Sequence, residues 1–187
     1  MLTHQGIEAN PDKCEAISFM RSPTNLKEVQ RLVGTLTSLS RFLPKLTDKI
    51  RSILKVLRKA ERFKWDDKCE DAFNKIKVAI SSTPILEKPK VGGRLLLYLS
   101  ISEDAISSAL VQQEEFKPFY FTGRALHDAE TIYRVIEKET LTLVYTARRL
   151  RPYFQGHPII VKTNYPVGKV FLRPNLARRM ISWSIEL

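Results

Sequence analysis

Several features that direct a chain to membranes, secretion or metals are scarce in these 187 residues. No run of about 18 apolar residues occurs and no signal peptide opens the chain, so we expect a soluble intracellular protein, in cytoplasm or nucleus, with no membrane partner. The two cysteines, Cys14 and Cys69, lack any CxxC or Cys/His spacing and indicate reduced thiols. The three histidines likewise show no ligand spacing: His4, His127, His157. These residues predict no metal and no cofactor.

What is abundant is apolar content and positive charge. Hydrophobic residues make up 43% of the chain, which predicts a globular protein with a core. The net charge is +11 and the pI is about 9.8. Lys and Arg exceed Asp and Glu in both halves, by 18 to 11 over residues 1–90 and by 13 to 9 over 91–187. An excess in both halves favours a polyanionic partner, most simply nucleic acid.

The first half has helical periodicity. Asn10 as N-cap and Pro11 at the first helical position predict a first helix that ends at Met20. Apolar spacing predicts further helices over about 24–43 and 46–59, and a fourth that begins at Asp66 or Asp67. We therefore expect a helical subdomain over 1–84.

A boundary is expected near 84–93, where two prolines and a Gly-Gly pair interrupt the pattern. Strand-like segments follow over 94–100, 105–113 and 117–122, then a helix from His127 or Tyr133 to Leu150, a strand over 159–163 and a helical tail over about 175–187. The order β-β-β-α-β-α predicts a mixed α/β domain over 94–187. The fold class of the whole chain is therefore α+β.

One glycine in the first half stands out. Gly34 lies within the second predicted helix, where glycine costs about 1 kcal/mol relative to alanine. Gln30, Gly34 and Ser38 are four residues apart and share one helix face. Such a notch serves either close packing of another helix or close approach of a ligand, and the spacing by itself favours helix packing.

The segment Val29-Gln-Arg-Leu-Val-Gly34, followed by Arg41-Phe42-Leu43, resembles the thumb helix of retroviral and retrotransposon reverse transcriptases. The resemblance implies that Gln30 and Gly34 track the minor groove of a template–primer duplex. Ser38 stands where retroviral enzymes carry an aromatic residue, which leaves the third contact open. Phosphate contacts are then expected from basic residues on this helix and its neighbours: Lys27, Arg31, Lys49, Lys55.

The second half resembles the ribonuclease H-like domain of LTR-retrotransposon Pol polyproteins, with plant gypsy-type elements the closest in motif order. The segments that carry the resemblance are Leu97-Tyr-Leu-Ser-Ile-Ser102, Glu137-Lys-Glu139, 147–155 and Val161-Lys-Thr-Asn-Tyr-Pro166. The resemblance places three metal-binding carboxylates at Ser100, Glu139 and Asn164, of which only Glu139 is acidic. Because ribonuclease H chemistry needs carboxylates around two Mg²⁺ ions, we expect a catalytically dead domain.

The resemblance therefore implies a fragment of a reverse transcriptase/ribonuclease H polyprotein that retains duplex binding and a structural tether role. Its expected partners are an RNA–DNA or DNA duplex and the rest of the Pol polyprotein. The alternative is a metal-dependent RNA–DNA hybrid ribonuclease that uses Glu139 and Mg²⁺. A decayed genomic fragment with no cellular role is also compatible with the first interpretation. The polymerase Tyr-x-Asp-Asp motif is absent, and the chain is expected to begin mid-gene and to stop before the last ribonuclease H elements.

Overall fold

The computed structural model describes residues 6–58, 63–82, 85–86, 89–90, 92–114, 116–168 and 180–183. The chain divides into two compact units, Met1–Lys88 and Pro89–Leu187, called here unit 1 and unit 2.

Unit 1 is helical. Its helices are α1 (Pro11–Ser18), α2 (Leu26–Ser38), α3 (Leu46–Lys49), α4 (Arg51–Arg58) and α5 (Asp67–Ser81), with a 3-10 turn at Ser40–Phe42. Side chains cap three of them, since Asn10, Asn25 and Asp66 each accept a hydrogen bond from a backbone N–H of the first turn. The predicted start of α1, with Pro11 at the first position, is confirmed.

The core of unit 1 lies among α2, α4 and α5. Its largest fully buried side chains include Leu32 and Leu36 of α2, Ile53 of α4 and Ile76 of α5. The antiparallel bridge Ile7–Leu86 joins two segments that flank the helices, and the Leu86 side chain is fully buried. Unit 1 therefore has an apolar core of its own.

Two helix boundaries in unit 1 differ from the sequence prediction. α2 ends at Ser38 rather than near Leu43, because Pro44 cannot continue a helix and holds Leu43 in an extended conformation. The segment predicted as one helix over 46–59 is divided at Ile50, which leaves helical geometry and is buried. Residue 59 lies outside the described residues.

Unit 2 is built on a four-stranded sheet. The strands are β1 (Leu95–Ile101), β2 (Ala105–Gln112), β3 (Pro118–Ala125) and β4 (Ile159–Lys162), in the order β3-β2-β1-β4. β1 pairs antiparallel with β2 and parallel with β4, with Leu95 opposite Ile159 and Tyr98 opposite Lys162. The predicted strand order along the chain and the mixed α+β class are thus confirmed.

Three helices lie between β3 and β4: α6 (Asp128–Thr131), α7 (Val135–Arg149) and α8 (Arg151–Gly156). α7 packs on one face of the sheet, where Leu95, Leu97 and Leu110 meet Leu143 and Leu150 in one buried cluster.

One helix was expected to begin at His127 or Tyr133 and to end at Leu150. The structure has the short α6 first and then α7, whose start at Val135 agrees with the second of these alternatives. Pro152, expected only to end a helix, lies in the first turn of α8, where a missing N–H costs nothing. Of the predicted tail, only 180–183 are described, and they are helical.

Candidate functional sites

The predicted binding face of α2 is open to solvent. Lys27, Gln30, Arg31 and Gly34 are all exposed, while Val29, Leu32 and Leu36 on the other side of the helix are buried. A Cβ atom placed on Gly34 would meet nothing within 4 Å. Among the described residues, therefore, no other helix packs against Gly34, and contact with a duplex stays a prediction.

A groove runs beside this face, between α1 and α2. Arg31, Gly34 and Ser38 line it from α2, and Lys13 and Phe19 line it from the α1 side. The Lys13 Nζ donates a hydrogen bond to the Ser38 Oγ over 3.0 Å. The position where the resemblance implies an aromatic side chain is thus occupied by a hydroxyl that binds a lysine. No sequence pattern indicated Lys13 in this role, because the two residues are 25 positions apart.

The other two predicted phosphate contacts lie elsewhere in unit 1. Lys49 and Lys55 line a second groove, between α4 and α5, together with Lys64 and Lys68. Lys55 is exposed, whereas burial lowers the pKa of the half-buried Lys49. Of the four predicted basic residues, Arg31 lines the first groove, Lys49 and Lys55 line the second, and Lys27 lines neither of these two. Linear spacing could not show this division.

The retained carboxylate of unit 2 is sealed from solvent. Glu139 lies on α7 and is only 3% exposed. Its Oε1 accepts a hydrogen bond from the Thr163 Oγ1 over 2.5 Å. Thr163 directly follows β4, so this bond joins α7 to the end of that strand. Sequence analysis did not single out Thr163, although it immediately precedes Asn164 in the motif that carries the resemblance.

Ser100 does not join Glu139. Side chains alternate between the two faces of a strand, and Leu99 and Ile101, on either side of Ser100, pack in clusters that contain leucines of α7. The Ser100 side chain is therefore directed to the other face of the sheet. Asn164, in turn, is exposed. The structure thus brings together Glu139 and Thr163, not the three positions that the resemblance implies.

The surroundings of Glu139 are hydroxyl-rich rather than acidic. Thr140, Thr142 and Thr146 of α7 are fully buried, and the Thr146 hydroxyl lies 2.8 Å from that of Ser108 on β2. The Lys138 Nζ donates to the backbone carbonyl of Glu103, whose own side chain is exposed.

These residues do not fit a pair of divalent cations. Two Mg²⁺ ions need several convergent carboxylate oxygens, whereas Glu139 is buried and already accepts a hydrogen bond. Within the described part of the chain, no three His, Cys, Asp or Glu side chains form a group that could hold a metal. No catalytic step through a metal follows from this geometry.

None of the described helices is both long enough and apolar enough to cross a bilayer.

Residues 65–161 match a known family, the RNase H-like domain found in reverse transcriptase. One relative is the retrovirus-related Pol polyprotein from transposon 297 of Drosophila melanogaster, which is 32% identical over 168 residues. That match covers 88% of this chain and 16% of the relative. The chain thus spans about a sixth of the length of this curated relative.

Two solved structures share the fold. The foamy viral protease-reverse transcriptase dRH in complex with ds DNA superposes with a TM-score of 0.79, at 21% identity, and the match covers 98% of this chain and 34% of that one. The foamy viral protease-reverse transcriptase in complex with RNA/DNA hybrid gives a TM-score of 0.80, at 20% identity, over 97% of this chain and 26% of the other. At this level of identity the likeness establishes the fold.

Proposed function

This chain belongs to the family of RNase H-like domains found in reverse transcriptase, and we propose that it is a non-catalytic, nucleic-acid-handling part of a Pol polyprotein. In this proposal unit 1 grips a duplex with α2, and unit 2 is a structural tether to the rest of the polyprotein. One observation carries the proposal: the glycine face of α2 is solvent-exposed and flanked by cations, while the only retained carboxylate of unit 2 is buried.

The chemistry of the α2 face suits a duplex groove. Gly34 has no side chain, so a sugar–phosphate edge can approach the helix backbone, and the Gln30 amide one turn away can both donate and accept hydrogen bonds. The minor groove offers few groups that distinguish base pairs, so this contact would sense groove shape rather than sequence. Lys27 and Arg31 supply charge for the phosphates, and binding should therefore weaken steeply with salt.

The solved structures of similar fold support the choice of ligand. The two foamy viral enzymes of similar fold are complexes with ds DNA and with an RNA/DNA hybrid, and we extend both ligands to this chain as a proposal. We further propose that the chain comes from a plant gypsy-type element, on the motif order given above. Genomic DNA on either side of the reading frame would test this origin: a long terminal repeat and gypsy-type Pol motifs are expected there.

The α2 grip is tested by Gly34→Leu. The new side chain has room, because nothing lies within 4 Å of its Cβ, so the fold should be retained while close approach of a duplex is obstructed. We expect duplex affinity to fall by about tenfold, or 1.4 kcal/mol. Fluorescence anisotropy with DNA and RNA–DNA duplexes measures the loss.

The matched control is Gly156→Leu, since Gly156 is also exposed and has nothing within 4 Å of a Cβ but lies in unit 2. Equal affinity of the Gly34→Leu and Gly156→Leu proteins would contradict the proposal.

The absence of nuclease activity has its own test. Ser100 and Asn164 stand where the resemblance implies aspartates, so purified protein should not cleave an RNA–DNA hybrid in Mg²⁺ or Mn²⁺. Metal-dependent cleavage that disappears in Glu139→Ala would replace this proposal with the ribonuclease alternative. Cleavage that persists in that variant would identify a contaminant.

A further inference from the structure

We infer that the groove between α4 and α5 is a second phosphate site, which holds the sugar–phosphate backbone of a nucleic acid independently of the Gly34 face. The inference rests on the proposed function, because it assumes a nucleic-acid partner. It differs from that function in placing a separate anion site on separate helices.

The first argument is the balance of charge inside the groove. Six cationic side chains line it, against three carboxylates. All three carboxylates are engaged: Asp48 pairs with Arg51 at 3.0 Å, Asp71 pairs with Lys75 at 2.6 Å, and Asp66 accepts a hydrogen bond from the Cys69 N–H. The groove therefore keeps an excess of positive charge after its internal ion pairs are formed.

The second argument is the state of the remaining lysines. With the described residues, none of them forms an ion pair within 4 Å: Lys49, Lys55, Lys64, Lys68. Hydrogen bonding to Cys69 chiefly lowers the pKa of the Asp66 carboxyl group, and the charges of Lys64 and Lys68 lower it further, but that carboxylate is occupied as the cap of α5. Burial lowers the pKa of Lys49, and with the described residues its ammonium has no anionic partner within 4 Å. A bound phosphate would supply one.

The third argument concerns which part of a nucleic acid would fit. The groove has an apolar floor that includes Val56 and Ala72, and no aromatic side chain among its described lining residues. Stacking of bases generally needs aromatic rings, whereas lysines bind phosphate as point charges on flexible stems. The lining therefore favours the backbone over the bases, and favours contact without sequence preference.

The test combines Lys64→Gln with Lys68→Gln. The two lysines are near the N-terminus of α5, where loss of positive charge does not oppose the helix dipole, so the variant should fold. Each lost phosphate contact lowers the slope of log affinity against log salt by about 0.9, so a decrease of about 2 is expected for duplex binding. The charge-matched control is Arg151→Gln with Lys162→Gln, two exposed cations of unit 2, which should leave the slope unchanged.

A slope equal to wild type, or the same decrease in the control, overturns the inference. If Gly34→Leu does not change duplex affinity while the lysine variant lowers the salt slope, the proposed duplex contact of α2 is wrong and the phosphate site between α4 and α5 is retained. If wild-type protein binds no duplex, the nucleic-acid source is overturned along with the proposed function.

A second arm separates nucleic acid from free phosphate. Tripolyphosphate should shift the amide resonances of α4 and α5 and should compete with the duplex, with both effects reduced in the lysine variant. Resonance shifts without competition would assign the groove to small phosphates and overturn the nucleic-acid occupant. No shift at all would overturn the phosphate site itself.

Discussion

The two units use charged residues in opposite ways. In unit 1, cations and a glycine lie on exposed helix faces, where they contribute little to the fold and are available to a partner. In unit 2, Glu139, the acidic residue at the carboxylate positions that the resemblance implies, is 3% exposed and bonded to Thr163. We therefore expect substitutions of the exposed cations and glycine of unit 1 to affect binding, and substitutions at the Glu139–Thr163 bond of unit 2 to affect stability.

The largest effect is expected from Thr163→Val. This change removes the donor to a buried carboxylate and leaves Glu139 without that bond, at a cost of about 2–3 kcal/mol. Urea unfolding of the full chain measures the loss, and Thr163→Ser, which keeps the hydroxyl, is the control. If the valine and serine variants are equally stable, the bond is not a structural element and the comparison between the units fails.

The next effect concerns a half-buried ion pair of unit 2. Arg124 binds Glu130 through two bonds of 2.6 and 2.8 Å, and these bonds lower the pKa of Glu130 below its usual value near 4.5. Because the pKa is lower in the folded state, this stabilisation is present above about pH 4.5 and is lost as the pH falls through the folded pKa.

Glu130→Gln should therefore cost about 2 kcal/mol at pH 7 and progressively less in acid. Unfolding free energies from pH 7 down to pH 3 provide the measurement. A loss of unfolding free energy that does not change with pH would show that packing and neutral hydrogen bonds, rather than charge, stabilise the contact between Arg124 and Glu130. In unit 1, by contrast, the carboxyl groups of Glu28 and Asp66 have lowered pKa values at exposed helix caps, where solvent screens their contribution.

The smallest effect has the opposite sign. Gly34→Ala should stabilise unit 1 by about 1 kcal/mol, because the position is helical, exposed and free of any atom that a Cβ would meet. Thermal unfolding compares it with wild type, and Gly123→Ala is the contrasting variant. At Gly123 a Cβ would lie 2.7 Å from the Ile106 carbonyl oxygen, so the same change should destabilise unit 2. If Gly34→Ala lowers the unfolding temperature, the added methyl group meets another part of the chain, and the exposed α2 face described above is wrong.

The sequence predicted most of the secondary structure for physical reasons that are local. Apolar spacing identified α2 and α5, Asn10 and Pro11 marked the start of α1, and alternation identified the strands. Two of the boundaries that were wrong lie at prolines: Pro44 holds Leu43 in an extended conformation, and Pro152 lies in the first turn of α8. The division at Ile50, a buried residue that leaves helical geometry, has no proline or glycine beside it, and the apolar spacing did not indicate it.

By itself, the sequence determined which chemical groups exist: a glycine notch on α2, an excess of cations, and one acidic residue at three expected carboxylate positions. Tertiary structure decided where those groups point. It exposed Gly34, placed basic residues of unit 1 in two grooves, turned Ser100 away from α7 and paired Glu139 with Thr163. Residue identity is a local property of the chain. The exposure and the pairing of a side chain depend instead on contacts between residues that are distant in sequence, such as Glu139 and Thr163, which are 24 positions apart.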